Sequence, residues 1–150
     1  MKLNRPTQRP LAGWREWVAL PDLGIESVKA KLDVGARTSA LHAFDVEPFD
    51  EDAVEKVRFK VHPVQGRDDI EVRCVAPLVG KRSVKNSGGV VEVRWVVRTS
   101  LRVGAQEWPI DLTLTNRKRM RFRMLIGRAA MRGHLLVNPG RSFLIPLENS

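Results

Sequence analysis

Short segments of alternating apolar and polar side chains recur along this chain at intervals of about ten residues, each closed by a turn signal, and that rhythm suits strands rather than helices. Trp14 to Leu20 (WREWVAL) is rich in β-formers and stops at Pro21, and Val28 to Leu32 alternates apolar and basic residues. Val57 to Val64 and Ile70 to Val75 alternate again, with Gly66 and Asp68 between them. Val90 to Val97 follows a Ser87-Gly88-Gly89 turn, and Leu101 to Val103 and Trp108 to Leu114 flank Gly104-Ala105 as a hairpin. Two places could hold a short helix, Asp50 to Glu55 and the residues just after Gly127. The pattern predicts an all-β barrel or sandwich.

A chain of 150 residues buries one core but not two well-sized ones, so a single domain over residues 13–150 is expected, preceded by a flexible segment 1–12. With 43% hydrophobic and 29% charged residues, the composition excludes a disordered chain. No apolar run reaches the roughly 18 residues needed to cross a bilayer. The N-terminus, MKLNRPTQRPLAG, lacks a secretory signal's apolar stretch, and a single cysteine, Cys74, cannot form an internal disulfide. Both features point to a cytoplasmic setting and away from a membrane.

The formal charge of +9 is unevenly placed. Between Leu112 and Leu147 stand eight basic residues and no acid, whereas Asp45 to Glu55 holds six acids and no base. Such a field favours a polyanionic partner: nucleic acid, a ribosome surface or an acidic peptide.

Two segments carry the chemistry. In KLDVGARTSALHA, Asp33 directly follows a strand, Gly35 and Ala36 allow close backbone approach, and Thr38 and Ser39 supply hydroxyls that could hydrogen-bond the acid. Alone, this also describes an ordinary turn. Near the C-terminus, Arg123-Met124-Leu125-Ile126-Gly127-Arg128 runs an apolar strand into a glycine and then into a helical turn, which suits a strand packed under a functional loop.

The pair, Asp-x-Gly-Ala early and apolar-apolar-Gly-Arg late with strands between, looks like the retropepsin-type aspartic proteases. GWREWVALP, the Asp33 segment, the SGG turn and TNRKRMRFRMLIGR resemble a bacterial family once labelled ATP-dependent zinc proteases and now regarded as retropepsin-like, over roughly Gly13 to Ile145. One branch of that family is linked to modification of a ribosomal protein. The resemblance implies a closed acid-protease barrel with one short C-terminal helix, Asp33 as the catalytic acid, and Val34, Gly35, Ala36 and Thr38 as its loop. Gly127 becomes the structural glycine. It also implies a homodimer, because one chain supplies one of the two carboxylates that share a proton. A flap is expected over Arg82 to Val97, with Arg37, Arg82, Ser87, Arg94, Asn116 and Arg117 binding an acidic peptide or protein tail, such as a glutamate tail on a ribosomal protein.

Val34 departs from the family's threonine, whose hydroxyl braces the dimer, so a weaker dimer or lower activity is expected. His42, His62 and His134 have no metal-ligand spacing, and Gly80-Lys81-Arg82 lacks the rest of a phosphate-binding loop, so neither a metal nor a cofactor is expected. Two rival functions remain open: a nucleic-acid or ribosome-binding module built on Arg117 to Arg132, and a protease-like scaffold that binds peptides without cleaving them.

Overall fold

The computed structural model describes residues 9–85, 88–116 and 121–148. The strands are β1 (Leu11–Gly13), β2 (Arg15–Leu20), β3 (Ile25–Leu32), β4 (Ser39–His42), β5 (Phe44–Glu51), β6 (Val54–Val61), β7 (Val72–Lys85), β8 (Val91–Val103), β9 (Gln106–Thr115), β10 (Met124–Ile126) and β11 (Leu136–Asn138). A 3-10 turn (Pro21–Leu23) follows β2, and a single short helix, α1 (Arg128–Met131), separates β10 from β11. The all-β class and the lone C-terminal helix are as the sequence predicts. Among the described residues no helix is long and apolar enough to cross a membrane.

The main sheet runs β2-β3-β10-β4-β9-β8-β7-β6-β5. One bridge, Ala19 opposite Arg102, joins β2 back to β8, so six strands return on themselves while β7, β6 and β5 extend outside the ring. Closure therefore rests on a single residue pair, a looser arrangement than the closed barrel expected. Alternation sets the inner face: in β3, Ile25, Val28, Ala30 and Leu32 are buried, and Lys29 and Lys31 lie between them on the outer side. Val18, Leu20, Leu41, Val97, Leu101, Leu112, Met124 and Ile126 complete the same core.

Three expectations from the sequence need correction. Asp50 to Glu55 holds no helix: Glu51 pairs with Val54 across a two-residue turn in which Asp52 (φ 53°) and Ala53 (φ 63°) are both left-handed. That geometry matches the right-handed twist of a hairpin, so the pairing of β5 with β6 overrides the helical reading. Second, β7 begins at Val72 rather than Ile70 and runs without a break into the hairpin expected over Arg82 to Val97, ending at Lys85. Third, Leu11 and Ala12 are not loose. They run parallel to Leu136 and Val137, and Ala12 is fully buried.

The anchor for that end is Glu16, an acidic side chain that is fully buried. Its carboxylate accepts from the backbone N–H groups of Gly13 (2.7 Å), Leu144 (2.7 Å) and Ile145 (3.1 Å). Three donors compensate the cost of removing the acid from water, and in doing so tie both ends of the domain together.

Beyond a register shift between Leu78 and Gly80, β7 pairs only with β8, from Gly80 opposite Val96 to Lys85 opposite Val91. β6 stops pairing with β7 at Pro77, and β9 pairs with β8 only from Val96 onward. The result is a two-stranded ribbon projecting from the sheet where the flap is expected.

Candidate active site

The loop between β3 and β4, residues 33–38, is held in place by the turn from β10 into α1. Asp33 N–H donates to the Ile126 carbonyl (2.8 Å), so the acid begins where β3 leaves its parallel partner β10. In return, Arg128 N–H donates to the Ala36 carbonyl (2.8 Å) and Ala129 N–H to the Arg37 carbonyl (3.0 Å). Gly127 N–H donates to Ser39 Oγ (3.0 Å), and the Arg128 guanidinium donates to the Val34 carbonyl (3.0 Å). Five bonds thus fix one loop against one helical turn.

Gly127 is glycine because of proximity, not conformation. A Cβ there would lie 2.6 Å from the Thr38 carbonyl carbon and oxygen, inside any real contact distance. The structural role expected for it follows from this backbone-on-backbone packing.

Asp33 is half-exposed, and its Oδ1 accepts the Gly35 N–H at 2.9 Å. Oδ2 takes no hydrogen bond among the described residues. The hydroxyls expected to bind the carboxylate do something else: Ser39 serves Gly127, and Thr38 lines a neighbouring cavity. Val34, next to the acid, is 58% exposed. An apolar side chain held in water at the tip of an otherwise well-tied loop is notable, because the same backbone would present threonine equally well.

The cavity beside the loop, about 530 Å³, gathers Arg37 and Thr38 from the loop, Arg82 from the ribbon, and Ala129 and Ala130 from α1. Arg98 also lines it, paired to Asp111 at 2.9 Å. Arg94 stands opposite Arg82 in the ribbon, its side chain largely buried and paired with Glu92 at 3.4 Å. Asn116 is not part of this group. It follows β9 at the end where Thr115 pairs with His42, about 10 Å along the strands from Ser39. Ser87 and Arg117 lie outside the described residues. Sequence reasoning placed Arg98 with the flap arginines near the cleft but missed Arg128 as the clamp on the loop and Asp111 as the partner of Arg98 in the cavity wall. Only the alternation of β8 and β9 hinted that Arg98 and Asp111 share a face.

Two further titratable groups, His42 and Cys74, sit in the core away from the loop. His42 is buried at the far end of β4, where burial and the neighbouring Arg123 lower its pKa. Burial pushes the Cys74 thiol up to about 12, which leaves it unreactive. Among the described residues no three His, Cys, Asp or Glu side chains are grouped to hold a metal ion.

An acid on a loop pinned by an apolar-Gly-Arg turn, with a projecting ribbon nearby, is the arrangement expected from the resemblance to retropepsins. The family model described as retropepsin-like aspartic endopeptidase RimB matches residues 11–148. This chain belongs to the RimB-like family. A solved structure similar to this RimB-like chain is that of the Legionella pneumophila protein Lpg0085, of unknown function, at 28% identity and a TM-score of 0.75, covering 91% of this chain and 98% of that one. A relative from Parasynechococcus marenigrum (strain WH8102) is 45% identical over 133 residues, 89% of this chain and 28% of the relative. Another, from Shewanella halifaxensis (strain HAW-EB4), is 40% identical over 139 residues, 93% of this chain and 30% of the relative. Both are named probable alpha-L-glutamate ligase. The RimB-like chain therefore spans less than a third of the length of these relatives.

Proposed function

We propose that this RimB-like chain is an aspartic peptidase that works as a homodimer and acts on acidic peptide tails. The observation that carries the reading is the state of Asp33: fixed at its backbone, half-open to solvent, one carboxylate oxygen engaged by Gly35 and the other available. Exposed Val34 beside it supports a twofold contact at this loop, since burying that side chain against a second copy would bring the two acids together. In the dimer the two carboxylates share one proton. The ionised one takes a proton from the attacking water, and the protonated one donates to the carbonyl oxygen of the scissile bond. The pair titrates as a unit, so the pH-rate profile is bell-shaped with apparent values belonging to both acids together.

Two observations favour an acidic substrate. The cavity at the Arg37–Thr38 end of the Asp33 loop presents three arginines against one aspartate. The relatives named probable alpha-L-glutamate ligase contain a segment like this chain within a longer protein, which supports a substrate that carries glutamate. A glutamate tail, such as one on a ribosomal protein, is the substrate we favour.

Incubation of wild type and Asp33→Asn with oligoglutamate-tailed and untailed peptides, read by mass spectrometry, tests this. Shortening of the tailed peptide by wild type alone is expected. Cleavage by the mutant would remove the mechanism, and equal cleavage of untailed peptide would remove the acidic substrate. Peptide binding without cleavage at any pH from about 4 to 8 would leave the scaffold reading in its place.

A further inference from the structure

The cavity beside the Asp33 loop is walled by two bodies of different standing. Arg37, Thr38 and the α1 alanines belong to the fixed loop-helix unit, whereas Arg82 belongs to the ribbon that pairs with nothing beyond Gly80. The charges are also unequal in standing. Arg98 is neutralised by Asp111 at 2.9 Å, but the guanidinium groups of Arg37 and Arg82 have no ion-pair or hydrogen-bond partner among the described residues. Arg94, directly opposite Arg82 in the ribbon, is held by Glu92 at 3.4 Å, so Arg94 already has its anion and Arg82 does not.

We infer that one side-chain carboxylate of the substrate, close to the bond being cut, bridges Arg37 and Arg82 and thereby draws the ribbon down over the Asp33 loop. This rests on the peptidase reading and adds how the site selects and closes. Without substrate, the two guanidinium groups facing one cavity repel and hold the ribbon away. With a carboxylate between them, both gain charge-assisted, bidentate bonds and the ribbon is tied to the loop that carries the acid. The substrate charge is therefore part of closure, and a neutral peptide of the same shape binds an open site.

The wall chemistry selects an amino-acid side chain over a nucleic-acid phosphate. Ile110, Ala129 and Ala130 give the cavity an apolar side, on which the methylene stem of a glutamate packs while its carboxylate reaches the arginines. A backbone phosphate has no such stem to bury.

The test uses two peptides that differ only by glutamate or glutamine, scanned over the positions flanking the cleaved bond, with C-terminally amidated versions of each. For wild type, kcat/KM should favour glutamate by about 10- to 100-fold at one position, as expected of a hydrogen-bonded charge, with the ratio carried partly in kcat. Arg37→Ala and Arg82→Ala should each bring that ratio close to one. Arg73→Ala, the same charge lost from the other end of β7, should leave it intact. Arg82→Glu should shift preference toward lysine at the same position, a reversal that misfolding cannot produce.

Binding of the same peptides to Asp33→Asn, followed by calorimetry, should show the same glutamate preference without any turnover, so the inference can fail separately from the peptidase reading. Equal affinity of Asp33→Asn for both peptides overturns it. So does an unchanged ratio in both arginine variants, a preference that vanishes on C-terminal amidation, or displacement of the peptide by an RNA oligonucleotide that binds the same arginines more tightly.

Discussion

Glu16 shows how much one side chain can organise. Its carboxylate sits fully buried with three backbone N–H donors, and Glu16→Ala leaves those donors facing a void. Each unsatisfied buried donor costs about 1–3 kcal/mol before relaxation, so a loss of about 3 kcal/mol in urea unfolding is expected, enough to lower Tm by roughly 6–12 °C. His42 sets a pH dependence of known sign. In the unfolded chain its imidazole takes a proton near 6.5, whereas in the folded protein burial among Arg123 and His62, only partly offset by Asp68, holds that step lower. Between the two values the unfolded state binds more protons, so stability should fall as pH drops below about 6.5 and the slope should flatten in His42→Gln. Denaturant midpoints at pH 7.5 and 5.5 measure both. Val34→Thr adds back a hydroxyl that can bond across the proposed twofold, and sedimentation should then show a tighter dimer by about 5- to 10-fold, with turnover rising alongside.

Elements matter here through their contacts rather than their length. The three residues of β10 and the four of α1 would be marginal alone, yet they hold the Asp33 loop because Arg128 and Ala129 N–H find the Ala36 and Arg37 carbonyls, Gly127 N–H between the two elements finds Ser39 Oγ, and the Ile126 carbonyl accepts from Asp33 N–H. Gly127→Ala tests that unit. The added methyl meets the Thr38 backbone at 2.6 Å, so loop and helix must separate. The expected stability loss is modest, about 1–3 kcal/mol, but turnover should fall at least about tenfold because the acid moves with its loop. Comparing kcat with the unfolding midpoint separates the two effects.

At the scale of the whole molecule, the decisive property is that each chain brings one acid of this kind. If the working unit is a random dimer in which a mixed pair is inactive, titrating Asp33→Asn into wild type at equal amounts should leave about a quarter of the activity, not half. A linear decline with the wild-type fraction would assign the whole reaction to one protomer. The charge of +9 acts at this scale too. It should raise the encounter rate with an acidic peptide at low salt and lose that advantage as ionic strength increases, with kcat affected far less than kcat/KM.

Alternation and turn residues determined the strands, because a half-buried sheet imposes a period of two on whichever residues it uses. The Asp33 loop and Gly127 were legible for a related reason: an acid after a strand and a glycine at a backbone crossing leave short local signals. The hairpin at Asp52-Ala53 was not legible, since it turns on two non-glycine residues in the left-handed region, which leave no local signal. Nor was Glu16, which in sequence is one more charged residue among strand formers and becomes a clamp only when Gly13 and residues 144–145 arrive beside it. Arg37 and Arg82 stand 45 positions apart. Only the folding of a ribbon back toward a loop gives them one cavity, and that shared space turns two basic residues into a site.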